Sequence, residues 1–229
     1  MYWNDDTSNE SAYEVPDDIV DVNFKIKCSH LPLDHAYQLS SAIINELPWI
    51  ENNEFAGIHL IHGAESGNGW IRPTNPNELI YPSRRTLFSI RSPQEYVEKV
   101  KNLDGKIIQI HDTSIEFSRP SIRKLSNLTT IFARYILADE IEDEEVFLQE
   151  MLDLLKSKNI RPKKMMSGRT TTLSFPDKVF PVRSLMIDGL DATESVRLQQ
   201  EGLGAGRKFG CGLFLPHKGI DAVGDAQEK

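Results

Sequence analysis

The feature that most constrains the fold of this chain is an order of elements that occurs twice. From residue 19 the apolar pattern switches between the two-residue period of a strand and the 3.6-residue period of a helix. "IVDVNFKIK" (19–27) alternates and predicts a strand. "LPLDHAYQLSSAIINEL" (31–47) predicts a helix with Ala36, Leu39, Ala42 or Ile43, and Leu47 on one face and Asp34 as its cap. Strands are expected at 57–63 and 86–91, then a helix at 92–103 with Pro93 in its first turn. A strand, or two joined at Asp112, is expected at 106–118. The series then repeats: strand 127–137, helix 143–158, a strand or hairpin arm at 163–175, strand 182–190, helix 191–202 and a closing strand at 211–216. Asp191 and Glu194 form a capping-box pattern at the last helix.

Two β-α-β-β-α-β series predict an α+β protein of two tandem ferredoxin-like (RRM-like) units, each an antiparallel sheet with two helices on one face. The units are placed at 19–120 and 127–220, after an acidic, disordered leader (1–18) and before a tail (221–229). The repetition lies in element order; no repeat of the residues themselves accompanies it. Of 229 residues, 39% are apolar and no apolar run approaches eighteen, so no membrane span or membrane partner is expected. The acidic start does not suit a secretory signal. Two isolated cysteines, Cys28 and Cys211, point to a reducing, cytoplasmic location and exclude a cysteine-rich zinc site.

The net charge of −8 argues only weakly against a nucleic-acid partner, because it is unevenly spread. Thirteen of the 34 acids lie in residues 1–18 and 139–150, which leaves 21 acids against 26 Lys and Arg elsewhere. Residues 156–169 carry six bases and no acid. Such a run is either a solvated face or a patch for a phosphate backbone.

"GLGAGRKFGCGLF" (202–214) has five glycines in its first eleven residues. It matches neither a P-loop nor a dinucleotide fingerprint: the spacing fails, and the stretch follows a helix instead of a strand. Two readings remain. Gly202 can end a helix in a tight turn. Alternatively, bare backbone at Gly204 and Gly206 can approach phosphate oxygens, with Arg207 and Lys208 adding charge.

"RLQQEGLGAGRKFGCGLFLPHK" (197–218), together with "LPLDHAYQL" (31–39), "GIHLIHGA" (57–64) and "SRRTLFSIR" (83–91), resembles the CRISPR repeat-RNA endoribonucleases of the RAMP superfamily (the Cas-six family), in its Myxan-type branch. The resemblance spans roughly residues 19–220. It implies a nuclease that cuts precursor CRISPR RNA within each repeat, with neither metal nor other cofactor. The ribose 2′-OH attacks the adjacent phosphate and leaves a 2′,3′-cyclic phosphate. Implied partners are a repeat-RNA stem-loop and the subunits of a Cascade-type interference complex. A repeat-RNA-binding subunit that does not cut is the alternative.

The reaction needs a base, an acid and positive charge near phosphorus. Among six histidines, His35 stands at the start of the first helix, where the resemblance places the catalytic ring. On this reading His35→Ala abolishes cleavage and spares RNA binding. Tyr37 is a possible second group, ahead of Ser40 and Ser41. His59 and His62, three apart in an expected strand, should face opposite sides. Candidate RNA contacts are Arg84 and Arg85, Lys163, Lys164 and Arg169, the glycine loop, and His217 and Lys218 beyond it. Trp70 is read as a loop anchor ahead of a platform for a splayed base, and Cys211 as small packing.

Overall fold

The computed structural model describes residues 13–63, 73, 75, 78–138 and 143–217. The first series comprises β1 (Ile19–Lys27), β2 (Leu31–Pro32), α1 (Ala36–Glu46), β3 (Gly57–Ile58), β4 (Leu79–Ile80), β5 (Leu87–Pro93), α2 (Val97–Lys101), β6 (Ile107–Ile110) and β7 (Thr113–Lys124). The second comprises β8 (Ile131–Leu137), α3 (Glu144–Ser157), β9 (Lys164–Ser167), β10 (Thr171–Ser174), β11 (Val179–Asp188), α4 (Ala192–Glu201) and β12 (Phe214–Pro216).

The first sheet has the order β3-β5-β1-β7-β6 and the second β10-β11-β8-β12, with β9 also paired to β11; every pairing is antiparallel. In both, the strand before the first helix is central and the closing strand lies beside it. This is the ferredoxin-like arrangement, present twice. β2 and β4 form a separate short ladder through Leu31↔Ile80.

Alternation along β1 sends Val20, Val22 and Phe24 into the core with Leu39 and Ile43 of α1. Phe24 meets Phe88 and Phe117 there, with centroids 6.5 and 5.8 Å away. The polar face of β1 is not solvated. Asp21 and Asn23 are buried because the second unit covers them, and Asp21 sits opposite Arg91 across β1 and β5.

Local chemistry explains where boundaries moved. Leu31 and Pro32 are taken by a strand ladder, so α1 begins only at Ala36. Asp34 does not cap it. Ser174 Oγ on β10 donates to the Asp34 carboxylate at 2.7 Å, and His35 occupies the cap position without a side-chain capping bond. Pro93 ends β5, and a 3-10 turn (Gln94–Tyr96) precedes the short α2. β7 stays paired with β1 through Lys124, so residues 125–130 connect the sheets. Of the acidic leader, residues 1–12 lie outside the described part. Asp18 is tied in: its carbonyl accepts from Gln94 N at 2.7 Å and its carboxylate from Gln200 Nε2 at 2.8 Å. Asp143 caps α3, accepting from Glu145 N and Val146 N, and at α4 Asp191 and Glu194 complete the predicted capping box.

Candidate functional site

His35 is fixed by main chain on both sides of its ring. Nδ1 lies 2.9 Å from the Pro32 carbonyl, and Ile61 N–H donates to Nε2 at 3.2 Å. Only the tautomer with hydrogen on Nδ1 satisfies both bonds. The residue is 2% exposed. The ring therefore pins the start of α1 to the segment after β3, and its one lone pair is in use. His35, expected to take a proton from ribose, is here held by main chain and screened from solvent. Tyr37 is at the surface with its ring edge-on to Phe175 at 5.7 Å. Ser40 is buried and Ser41 half-buried.

The glycine loop also turns inward. Arg207 crosses into the first unit, donating from Nη2 to Phe55 O (2.8 Å) and from Nε to Ala56 O (3.3 Å). Nη2 donates to Gln200 O as well, at 2.9 Å. Burial, then the nearby charge of Arg91, bring its pKa down to about 9. Arg207, expected to meet RNA phosphate, here gives Nε and Nη2 to carbonyls in the interior. Lys208 faces Glu51 at 3.9 Å, beside a cavity of about 540 Å3 that Glu51, Glu54 and Glu201 also line. Lys158, which pairs with Glu201 at 2.7 Å, lines it too, so acids and bases are mixed on that side of the loop. Gly204 is exposed there and Gly206 half-buried. Cys211 is buried, and burial pushes its thiol up to about 12, which fits the packing role.

A second cavity, of about 570 Å3, opens between the polar face of the first sheet and β12. Its lining includes His59, His62, Arg85 and Arg123, with Asn23 and Ser89 on its floor and Leu215 from the second unit. None of its described lining residues is acidic. His59 and His62 share this cavity, contrary to the opposite-sides expectation, because β3 stops at Ile58 and strict alternation stops with it. His62 is half-buried, with its ring 6.0 Å from that of Tyr135 on β8. Arg85 is exposed on a turn closed by Thr86 N→Ser83 O at 3.0 Å.

Behind the cavity lies a buried charge cluster. Arg91 donates to both oxygens of Asp21, at 2.9 and 3.1 Å, and Arg123 Nη2 donates to Oδ2 at 2.9 Å. Burial alone would raise the Asp21 carboxyl, but Arg91 and His59 hold it well below the usual carboxylate range. His59 Nε2 is 3.5 Å from Asp21 Oδ1. Burial outweighs that carboxylate and lowers the His59 pKa. Arg91 Nη1 reaches into the second unit, donating to Gln199 O (2.7 Å) and Phe214 O (3.0 Å).

Of the residues expected from sequence, only Arg85 joins this cavity. Arg84 is exposed on the same turn. Lys163 and Lys164 are exposed on a groove shared with α3, and Arg169 is exposed between β9 and β10. His217 is half-buried, its ring 6.1 Å from Phe132. Lys218 and Trp70 lie outside the described residues. The sequence reading missed Arg123 and the placing of His62 in this cavity; Asp21 in a central strand and Arg91 in "LFSIR" were the available signals of a second polar face. Among the described residues, no three His, Cys, Asp or Glu side chains group as metal ligands.

Two ferredoxin-like units in series, locked by a glycine-rich loop and opening a basic cavity between their sheets, define the class of this protein. The Cas6 family model ("Cas6 Crispr") matches residues 20–219, and the chain belongs to that family. It is similar to the "CRISPR-associated endonuclease Cas6" of Myxococcus xanthus (strain DK1622), 29% identical over 197 residues, covering 86% of this chain and 81% of the relative. Among solved structures its fold is like that of a "CRISPR associated protein Cas6" (TM-score 0.59, 14% identity, 87% of this chain and 100% of the other). It is also like that of "An RAMP protein binding different RNA substrates" (TM-score 0.58, 14% identity, 87% and 100%).

Proposed function

We propose that this chain is a metal-independent endoribonuclease that cuts precursor CRISPR RNA within its repeats to yield guide RNAs. The ribose 2′-oxygen attacks the adjacent phosphorus and the 5′-oxygen leaves. The products are a 2′,3′-cyclic phosphate and a 5′-hydroxyl. The observation that carries this reading is the cavity whose lining supplies two arginines and two histidines and, among the described residues, no carboxylate. Arginines hold a phosphodiester and balance the charge that develops on it, and imidazoles move protons near neutrality. Family membership and the endonuclease name of the Myxococcus relative support the same reaction. Exposed Arg84, Lys163, Lys164 and Arg169 are suited to positioning a repeat stem through its backbone. Transfer of the product to interference-complex subunits in the cytoplasm extends this reading and rests on the family resemblance.

A second reading, a repeat-binding subunit that does not cut, is favoured by one observation: the ring expected to do the chemistry, His35, is sealed in the core. A single-turnover assay of cognate repeat RNA in excess EDTA decides between them. The nuclease reading expects shortened RNA ending in a cyclic phosphate, and no cut when the attacking ribose is 2′-deoxy. RNA that is bound but never shortened would leave the non-cutting reading.

A further inference from the structure

We propose that the open face of the second sheet is a platform for unpaired nucleotides of the bound RNA, with Phe132 as the ring on which a base stacks. The inference rests on the repeat-RNA partner common to both readings above, and is independent of which group moves the protons.

Three observations carry it. First, strand register sets apolar side chains in one row across this sheet. Met166 lies opposite Met186, Met186 opposite Phe132, and Phe132 opposite Leu215, in the order β9-β11-β8-β12. The residues between them along the strands, Ile131, Ala133, Leu185, Ile187 and Phe214, pack into the core with Phe147 of α3 and Leu198 of α4. Alternation therefore turns the row to the face without helices. Met166 is 47% exposed there, and Met186, Phe132 and Leu215 are half-buried. Secondly, the row runs into the cavity. Leu215 lines it together with Arg85 and Arg123. Successive steps between strands, each about 4.8 Å, carry the row about 14 Å away from that end. An RNA strand with a phosphate at those arginines thus continues onto an apolar surface of the length over which RRM-like sheets stack two or three bases. Thirdly, cations border the row. Arg134 Cζ stands over the Phe132 ring, 5.7 Å from its centroid, and the His217 ring is 6.1 Å away. Exposed Lys164 follows in the adjoining row, and exposed Arg169 lies in the turn after β9. The acid of that row, Asp188 opposite Lys164, accepts from Thr130 Oγ1.

An aromatic ring among thioethers, edged by positive charge, suits a base attached to a phosphate backbone. A protein partner seated here would have to desolvate Lys164 and Arg169, whereas a polyanion pairs with them. Every base offers a π-face, so the row positions the strand and does not read its sequence.

The test measures affinity of the full chain for fluorescein-labelled repeat RNA, with 2′-deoxyribose at any position that the wild type cuts. The same RNA is made with one abasic nucleotide, placed at each unpaired position in turn. For the wild type, at least one abasic RNA is expected to bind about tenfold more weakly than the intact RNA, while exchanging that base for another changes affinity less than about threefold. Phe132→Ala should lose about tenfold on the intact RNA and nothing further on that abasic RNA, because ring and base make one contact. Phe132→Tyr, which keeps the ring, should stay within about threefold of wild type. Met166→Glu, at an exposed position, should weaken the intact RNA at least about threefold and keeps the test in force if Phe132→Ala does not fold. Abasic losses that add in full to the loss of Phe132→Ala would overturn the inference. So would intact-RNA affinity within about twofold of wild type in both Phe132→Ala and Met166→Glu, which would leave the row to packing or to a protein partner. A wild type that binds no repeat RNA defeats both readings above and this inference with them; a wild type that binds it without this coupling defeats the inference alone.

Discussion

His35 carries a consequence at the scale of single residues. Removing its ring strands two main-chain groups, the buried Ile61 N–H and the part-buried Pro32 carbonyl. Unmade buried bonds of this kind cost about 1–3 kcal/mol. His35→Ala is therefore expected to lower unfolding stability by that amount. Cleavage should fall only in step with the folded fraction at the assay temperature. Urea unfolding beside a cleavage assay checks it: wild-type stability and RNA binding combined with abolished cleavage would return catalysis to His35. The sequence placed this histidine correctly beside the helix start. It could not reveal that the ring's partners are main-chain groups 3 residues before and 26 residues after it, because neither has a side-chain signature.

Elements show the same division between local signals and long-range contacts. The cap built from neighbours in sequence, the Asp191–Glu194 pair, was legible because its chemistry closes within three residues. Asp34 was misread because its partner, Ser174, lies 140 residues away. The glycine loop belongs to the second kind. Its glycines are required mainly by packing, and two of them separate the cases. Gly212 has φ +67°, and a Cβ there would lie 2.4 Å from the Leu203 carbonyl oxygen. Gly204 has φ +72° with open space around it. Gly204→Ala is expected to cost only the left-handed backbone penalty, about 1–2 kcal/mol. Gly212→Ala meets that penalty and a backbone clash, so its loss should exceed that of Gly204→Ala by at least about 1 kcal/mol. Chemical denaturation of both variants measures the difference. If the loop instead met phosphate through bare backbone, exposed Gly204 would be the sensitive position in RNA binding, and Gly204→Ala would weaken affinity at unchanged fold.

At the scale of the molecule, the two units are held by reciprocal arginines. Arg91 leaves the first sheet for carbonyls at Gln199 and Phe214, and Arg207 leaves the second unit for carbonyls at Phe55 and Ala56. Asp21 balances this buried charge, and His59 stands beside it. The junction should therefore be acid-sensitive, and the direction follows from linkage. His59 faces Asp21, Arg91 and Arg123, and its folded pKa lies below the ordinary 6.5. As pH falls through 6.5, the unfolded chain takes up a proton that the folded chain refuses, so stability declines. Asp21 is held well below the ordinary 3.8, so its contribution is present above that value. It is lost only as pH falls further, toward the folded pKa. The thermal midpoint of the wild type is expected to drop between pH 7.5 and pH 5, and His59→Gln should flatten that limb while leaving the steeper acid limb below about pH 4 in place. A midpoint that is level from pH 7.5 to pH 5, or a limb that survives His59→Gln unchanged, would mean that His59 does not couple protonation to the junction. In that case the cavity over it would keep its shape across the range in which imidazole titrates, and any pH dependence of cleavage would belong to the chemical step alone.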